Sequence, residues 1–388
     1  MSLSHLTNDP SSSPSNPPPG SKLRIPSHRE ILEAHDRIAD IIHQTPVIRS
    51  AWFDRQTGAE LFFKCENDQK TGSFKFRGAC NAVLSLSDKD AARGVATHSS
   101  GNHGQAVAAA AKIRGIKAVV VMPENAPAVK VQAVKEYGGD VIFCRPTLES
   151  REQELQKVIL ERNLNFIHPY TNSNVICGQA TTAIELMQQV PGLDYLLVPV
   201  GGGGLISGCA LAVHYAANVH SHGVENHNPD HRSDSNPARS KLVQGEPGPL
   251  IIGTEPENAD DAARSFHSGV HQTHGNRETI ADGLRAVIGP INFTIISRHV
   301  SDMITVSEQD MISGMRHFWE RTKRIIEPSC AVPLAALPAL QERIRGKRVG
   351  VIITGGNVDL NRLPWLNMLS GNINPKQTPK ASVKAANT

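Results

Sequence analysis

The sequence predicts an α/β protein whose parallel sheets are covered by helices. Two observations carry this. Short apolar runs rich in Val and Ile end at Gly, Pro or polar turns, and helical patterns separate one run from the next. The runs are continuous rather than alternating, as strands buried on both faces are. At 388 residues the chain is long enough for two such units or one large one. In folds of this kind ligands sit beyond the C-terminal ends of the strands, so chemistry is expected just after each apolar run.

Residues 8–20, NDPSSSPSNPPPG, cannot bury enough apolar surface to offset their ordering entropy, and a disordered tail is expected over 1–25. A second polar tail is expected over 371–388. Strand-like runs occupy 94–100, 117–123, 140–144, 195–204, 250–256 and 348–357, with helical patterns at 101–115, 179–190 and 307–323. Residues 219–249 break the alternation. This stretch is polar and rich in His, Pro and Asn, and is longer than a compact domain usually allows a connection to be. His220, His222, His227 and His231 could hold a metal, but no spacing fixes a ligand geometry, so a solvated flexible insertion is the preferred reading.

The bulk numbers exclude several classes. A net charge of +3 gives no reason to invoke nucleic acid or an anionic membrane. No apolar run approaches the roughly 20 residues that span a bilayer, and the N-terminus lacks the apolar core of a secretory signal. Six scattered cysteines without a CxxC pair argue against a zinc site or a disulfide framework, and a cytoplasmic location is expected.

Five motifs carry candidate chemistry. In KTGSFKFRGA (70–79), Phe74 and Phe76 flank Lys75 and can desolvate it, which favours the neutral, nucleophilic amine, although a lysine between two aromatics is more often a snorkelling surface residue. In VPVGGGGL (198–205), four glycines follow a strand, so that successive N–H groups and a helix start can grip phosphate oxygens. The loop is neither GxxxxGK[ST] nor GxGxxG, which disfavours a nucleotide-dependent dehydrogenase. THSSGNHGQA (97–106) is a strand-to-helix turn whose free N–H groups suit a carboxylate. VIITGGNVD (351–359) ends a strand in a hydroxyl, Thr354, able to bond a ring nitrogen, and equally suits a tight turn. GTEPENADD (253–261) gathers Glu255, Asp260 and Asp261, which suit Mg²⁺, Mn²⁺ or Ca²⁺ and equally suit an acidic helix start.

Together and in this order, the motifs resemble those of the fold type II pyridoxal-phosphate enzymes, the tryptophan synthase β-like group, from about Ile31 to Met368 without the insertion. Within them the serine/threonine dehydratase branch is most similar, and in that branch the serine racemases and threo-3-hydroxyaspartate dehydratases. The resemblance implies two domains. A small one, 94–171, is inserted into a large cofactor domain formed by 26–93 and 172–370, and two copies of the chain are expected to form a homodimer.

It implies that Lys75 holds the cofactor aldehyde beside Phe74, that Asn102 bonds the ring 3′-oxygen, and that Gly201, Gly202, Gly203, Gly204 and Leu205 hold the phosphate. Glu327 lies near the cofactor, and Thr354 faces the pyridine nitrogen. Ser99, Ser100, Asn102, His103 and Arg151 would bind the substrate carboxylate, and Glu255, Asp261 and the Ala259 carbonyl a divalent cation. Gln105, Tyr137, Lys323 and Asn357 match parts of an ATP effector site, although Arg37 departs from that pattern.

The activity implied is serine racemisation, with Lys75 and Ser100 as bases on opposite faces, and a serine/threonine-type dehydratase side activity. The alternative is a threo-3-hydroxyaspartate or L-threonine dehydratase without significant racemisation, towards which Tyr170 points. A cysteine synthase-like β-replacement enzyme is disfavoured by the Ser-Ser-Gly-Asn turn and the acidic cluster.

Overall fold

The structure, a computed structural model, describes residues 24–99, 101–218, 248–275 and 278–366. Ser100, the insertion histidines and most of both expected tails therefore lie outside the described residues.

The described strands are β1 (Val47–Ile48), β2 (Glu60–Cys65), β3 (Val95–His98), β4 (Ala118–Pro123), β5 (Asp140–Cys144), β6 (Asn165–Phe166), β7 (Tyr195–Pro199), β8 (Leu250–Pro256), β9 (Asp302–Val306) and β10 (Arg348–Ile353). They form two sheets. One has six strands in the order β1-β2-β10-β7-β8-β9, and the other has four in the order β5-β4-β3-β6. All neighbouring pairs are parallel except the short β1 against β2. The Val/Ile runs become strands for the expected reason. β4, for example, is buried along its whole length, so no position has to be polar. The four-stranded sheet comes entirely from residues 95–166, and the chain then returns to the larger one.

The described helices are α1 (His28–Ile38), α2 (Ala51–Thr57), α3 (Lys75–Leu84), α4 (Asp88–Ala91), α5 (Asn102–Arg114), α6 (Ala128–Glu136), α7 (Leu148–Arg162), α8 (Ser173–Gln189), α9 (Gly204–Asn218), α10 (Asp261–Ser268), α11 (Pro290–His299), α12 (Glu308–Thr322) and α13 (Pro328–Ile344). α8 begins six residues before the helical pattern expected from Gln179. Asn172 caps it by accepting from the Val175 N–H at 3.1 Å, which satisfies one of the free first-turn donors. At the other end of the described chain, Ile25 packs against the core and Tyr215 donates to the Pro26 carbonyl at 2.8 Å.

β2 carries a lysine in mid-strand, and the fold buries it. Lys64 Nζ donates to Glu185 at 2.5 Å, to Gln189 at 2.7 Å and to the Thr45 carbonyl at 2.9 Å. Glu185 also accepts from Arg77 at 3.0 Å, and Arg77 forms a two-pronged pair with Glu66 at 2.7 and 2.8 Å. None of the four side chains exposes more than 7% of its surface. Burial opposes ionising Glu185, but Arg77 and Lys64 outweigh it and hold the carboxyl below its ordinary range. The cluster joins β2, α3 and α8, and Arg77 lies two residues beyond Lys75. Removing one partner strands a buried charge. Arg77→Met is therefore expected to cost about 3–5 kcal/mol in denaturant unfolding. A loss below about 1 kcal/mol, the worth of an exposed pair, would show the cluster to be dispensable.

Candidate active site

The site grows from the turn before α3. Thr71 and Gly72 both adopt left-handed backbone, at φ 64° and 70°. A Cβ at Gly72 would lie 2.5 Å from Asn357 Oδ1, so conformation and contact both demand glycine there. The turn is fastened to the end of β10. Phe74 N–H donates to the Thr354 carbonyl at 3.0 Å, Gly356 N–H donates to the Gly72 carbonyl at 2.9 Å, and Ser73 bridges Gly355. Lys75 thus enters its helix beside a strand end. Its Nζ donates to the Pro169 carbonyl at 3.2 Å and lies 5.1 Å from the Phe74 ring centre. Burial, opposed by the nearby Glu327 carboxylate, lowers the amine to about 8.

Opposite stands the turn between β3 and α5. Asn102 donates to Glu327 Oε1 at 2.7 Å and accepts from Asn357 at 3.0 Å. Both its amide atoms are therefore engaged and its orientation is set. Burial, opposed by Lys130, raises the Glu327 carboxyl to about 7. Glu327 Oε2 and Ser73 Oγ, both buried, have no hydrogen-bond partner among the described residues. His103 bonds the Ile167 carbonyl through Nε2 at 3.1 Å, so Nε2 carries the proton. Its ring braces the turn, and a carboxylate there would meet N–H groups of the first turn of α5 instead. Ser99 Oγ accepts from the Gly101 N–H at 3.1 Å, while Ser100 lies outside the described residues.

The third wall is the tetraglycine loop after β7. Gly204 opens α9, so N–H groups around it have no helical partner. Packing behind the loop excludes side chains. An added Cβ would lie 2.4 Å from the Tyr170 ring at Gly202, 2.9 Å from the Leu284 Cα at Gly201, and 2.7 Å from the Asn292 Cβ at Gly203, which also has φ +87°. Leu205 is buried in the main core cluster behind the loop. Thr354, also buried, completes the ring of residues, and its hydroxyl lies 3.1 Å from Cys330 Sγ.

Other expected residues fall at varying distances from this centre. Arg151, in the first turn of α7, is close enough to His98 to add to the effect of burial, which holds that imidazole at about 4. Glu255 accepts from the Ala262 and Ala263 N–H groups at 3.3 and 2.7 Å, and Asp261 accepts from the Ile288 N–H at 2.8 Å. Asp260 instead pairs with Arg264 at 2.9 Å. Burial and the neighbouring Asp261 push the Glu255 carboxyl well above its ordinary range, as two carboxylates sharing a site require. Among the described residues no group of three His, Cys, Asp or Glu side chains is arranged to hold a metal, so a cation here would rely on backbone oxygens such as the Ala259 carbonyl. Of the nucleotide candidates, Asn357 contacts Asn102, Gln105 is buried one turn further along α5, Tyr137 packs on the cluster beneath α5, and Lys323 reaches back to the Glu320 carbonyl at 2.5 Å. Arg37 Nη1 donates to Asn81 at 2.5 Å.

Comparison with known proteins fits this geometry. Residues 38–355 match the family of pyridoxal-phosphate dependent enzymes. The β-hydroxyaspartate dehydratase of Paracoccus denitrificans is 43% identical over 343 residues, 88% of this chain and 100% of that protein. The serine racemase of Dictyostelium discoideum is 43% identical over 339 residues, 86% of this chain and 96% of that one. The structure of maize serine racemase matches with a TM-score of 0.76 at 40% identity, covering 88% of this chain and 96% of that chain.

The chain belongs to the pyridoxal-phosphate dependent enzymes.

The described residues fit that cofactor. A buried amine poised to be neutral suits the aldehyde. A glycine loop backed by Tyr170 and leading into a helix start suits the phosphate. The Ser73 and Glu327 oxygens mark polar surface that lacks a mate among the described residues.

Two pairs were not legible in the sequence. Lys130 of α6 and Asp282 form an ion pair at 2.5 Å, tying α6 to the turn at Asp282–Leu284 beside Gly101, whose added Cβ would lie 2.7 Å from Lys130 Cδ. Cys330 joins Thr354 from the start of α13. No local pattern marks either, because the partners are 152 and 24 residues apart.

Two outcomes are expected. Cofactor capture by apoprotein should accelerate with pH and level off above about 8, followed as visible absorbance of the lysine-linked cofactor. A midpoint near 10.5, the value of an ordinary lysine, would contradict the burial of the amine. Overpacking costs about 1–3 kcal/mol, so Gly202→Ala should weaken cofactor binding roughly 5- to 150-fold in equilibrium dialysis. Adding Tyr170→Ala should restore part of it by making room for the new methyl group.

Proposed function

We propose that the protein racemises serine and, as a side activity, converts serine or threonine to a 2-oxo acid and ammonia. The observation that carries this reading is the Lys75 amine. It is lowered to about 8 and sits among the glycine loop, the Asn102 turn and Thr354, in a chain 43% identical to a serine racemase over nearly its full length.

In this reading Lys75, Phe74, Asn102, Gly201, Gly202, Gly203, Gly204, Leu205, Glu327 and Thr354 hold the cofactor. Bound there, it supplies an electron sink for negative charge developing at the substrate α-carbon. Ser99, the Asn102–His103 turn and Arg151 hold the substrate carboxylate, Arg151 by a two-pronged bond. Lys75 Nζ, neutral once freed, takes the α-proton from one face. The Ser100 hydroxyl returns a proton to the other face, which inverts the centre. When the β-hydroxyl leaves instead, water completes conversion to the 2-oxo acid and ammonia. Movement of the 94–171 unit against the rest closes the cleft and excludes water. A divalent cation at Glu255, Asp261 and the Ala259 carbonyl would relieve the repulsion that raises Glu255. ATP at Gln105, Tyr137, Lys323 and Asn357, a homodimer and a cytoplasmic location complete the proposal.

The dehydratase reading, with threo-3-hydroxyaspartate as substrate, is favoured by one feature. Tyr170, the residue that points towards the dehydratases, has its ring against Gly202 of the glycine loop. Incubation with L-serine, D-serine, L-threonine and threo-3-hydroxyaspartate, followed by chiral analysis and 2-oxo acid detection, separates the two readings. D-Serine should form from L-serine, and Ser100→Ala should suppress it while sparing 2-oxo acid release. Release of 2-oxo acid from hydroxyaspartate with no D-serine from L-serine would replace racemisation with the dehydratase reading.

A further inference from the structure

The chain crosses from β6 to α8 through residues 167–172, and the crossing passes beside the Lys75 amine. Both of its ends are fastened. The Ile167 carbonyl accepts from Thr97 Oγ1 at 2.9 Å and from His103 Nε2 at 3.1 Å. The Tyr170 carbonyl accepts from Asn292 Nδ2 at 3.1 Å. Between them lies Pro169, whose carbonyl accepts from Lys75 Nζ at 3.2 Å. A lysine ends a flexible stem, so burial alone leaves the amine free to swing, and this acceptor sets where Nζ stands.

The turn that presents the carbonyl is built on His168. Its Nδ1 accepts from the Tyr170 N–H at 3.3 Å and from the Thr171 N–H at 3.1 Å. Asn and Asp side chains make turns of this kind with N–H groups just ahead of them in the chain, and here an imidazole does so. A ring nitrogen that accepts carries no proton, so the proton of the neutral ring is on Nε2. The ring stands edge-on to Phe166 and Tyr170, with centres 5.3 and 4.6 Å away. Burial, helped by the nearby His98 and Lys75, lowers the imidazole to about 3, so Nδ1 keeps its lone pair at neutral pH.

We propose that His168 is a positioning residue: by accepting from both N–H groups of the crossing, it holds the Pro169 carbonyl where that carbonyl places the Lys75 amine for attack on the cofactor aldehyde. This rests on the reading that Lys75 is the lysine that captures the cofactor. Capture joins Nζ to the aldehyde carbon, and the two hydrogens of the neutral amine leave with the aldehyde oxygen as water. The imidazole takes no part in that exchange and acts through the turn. Tyr170 keeps its place against Gly202 through its own bond to Asn292, so the phosphate loop is not expected to follow a change at His168.

Two probes on the full-length apoprotein separate position from packing. Pyridoxal phosphate, added above the Lys75 value of about 8, reports covalent capture by its visible absorbance. Pyridoxine phosphate, with an alcohol in place of the aldehyde, reports filling of the pocket alone by equilibrium dialysis. His168→Gln, whose amide reaches the Nε2 end of the ring instead of the Nδ1 place, should slow capture roughly 10- to 100-fold, the usual cost of a misplaced reacting group, and leave pyridoxine phosphate binding unchanged. His168→Asn, whose Oδ1 lies where Nδ1 does, should restore the rate. Equal weakening of both probes in His168→Gln would show the ring to be packing only, and slow capture in His168→Asn would show its acceptor to be irrelevant; either result overturns the proposal. Lys75→Ala separates the layers. If it abolishes capture while His168→Gln captures at full rate, only the role of His168 fails. If Lys75→Ala still captures, Lys75 is not the cofactor lysine and both readings fall.

Discussion

The site depends on a backbone seam between the lysine turn and the end of β10. Two hydrogen bonds, Phe74 N–H to the Thr354 carbonyl and Gly356 N–H to the Gly72 carbonyl, together with the Ser73–Gly355 bridge, tie a segment near residue 73 to one near residue 355. Without this seam the lysine and the hydroxyl strand end would belong to separate loops. With it, the start of α3 and the start of α13 converge on one strand end. The left-handed Thr71–Gly72 turn is what lets the chain arrive there.

Around the seam charge is arranged so that the amine stays reactive. Ion pairing of the kind that fixes Arg77 would keep Lys75 protonated. Instead Lys75 bonds a carbonyl, and the nearby Glu327 carboxyl is itself raised to about 7. Lys130, which opposes that rise, is paired with Asp282. The strongly ionic cluster of Lys64, Glu66, Arg77 and Glu185 lies beyond it, where it fixes α3 and α8. One helix therefore carries both a residue poised near neutrality and, two positions later, one held permanently charged.

Much of the site was legible in the sequence because its parts are local. A glycine run after an apolar strand, a Ser-Ser-Gly-Asn turn and a lysine between aromatics each announce backbone geometry within ten residues. Elements that break local pattern were harder to see. β2 hides behind Lys64, whose burial makes sense only once Glu185 arrives from α8. Glu255 reads as a cation ligand, yet it also binds the first N–H groups of α10, and both uses draw on one buried carboxylate.

By itself the sequence determined the alternation of strands and helices, the residues at strand ends and the family to which the chain belongs. These follow from periodicity and from short motifs whose chemistry is fixed by adjacent residues. The tertiary structure alone decided which groups share a proton or a charge: Asn102 with Glu327, Lys130 with Asp282, Cys330 with Thr354. Hydrogen bonds and ion pairs act over about 3 Å in space, and separation along the chain does not encode that distance.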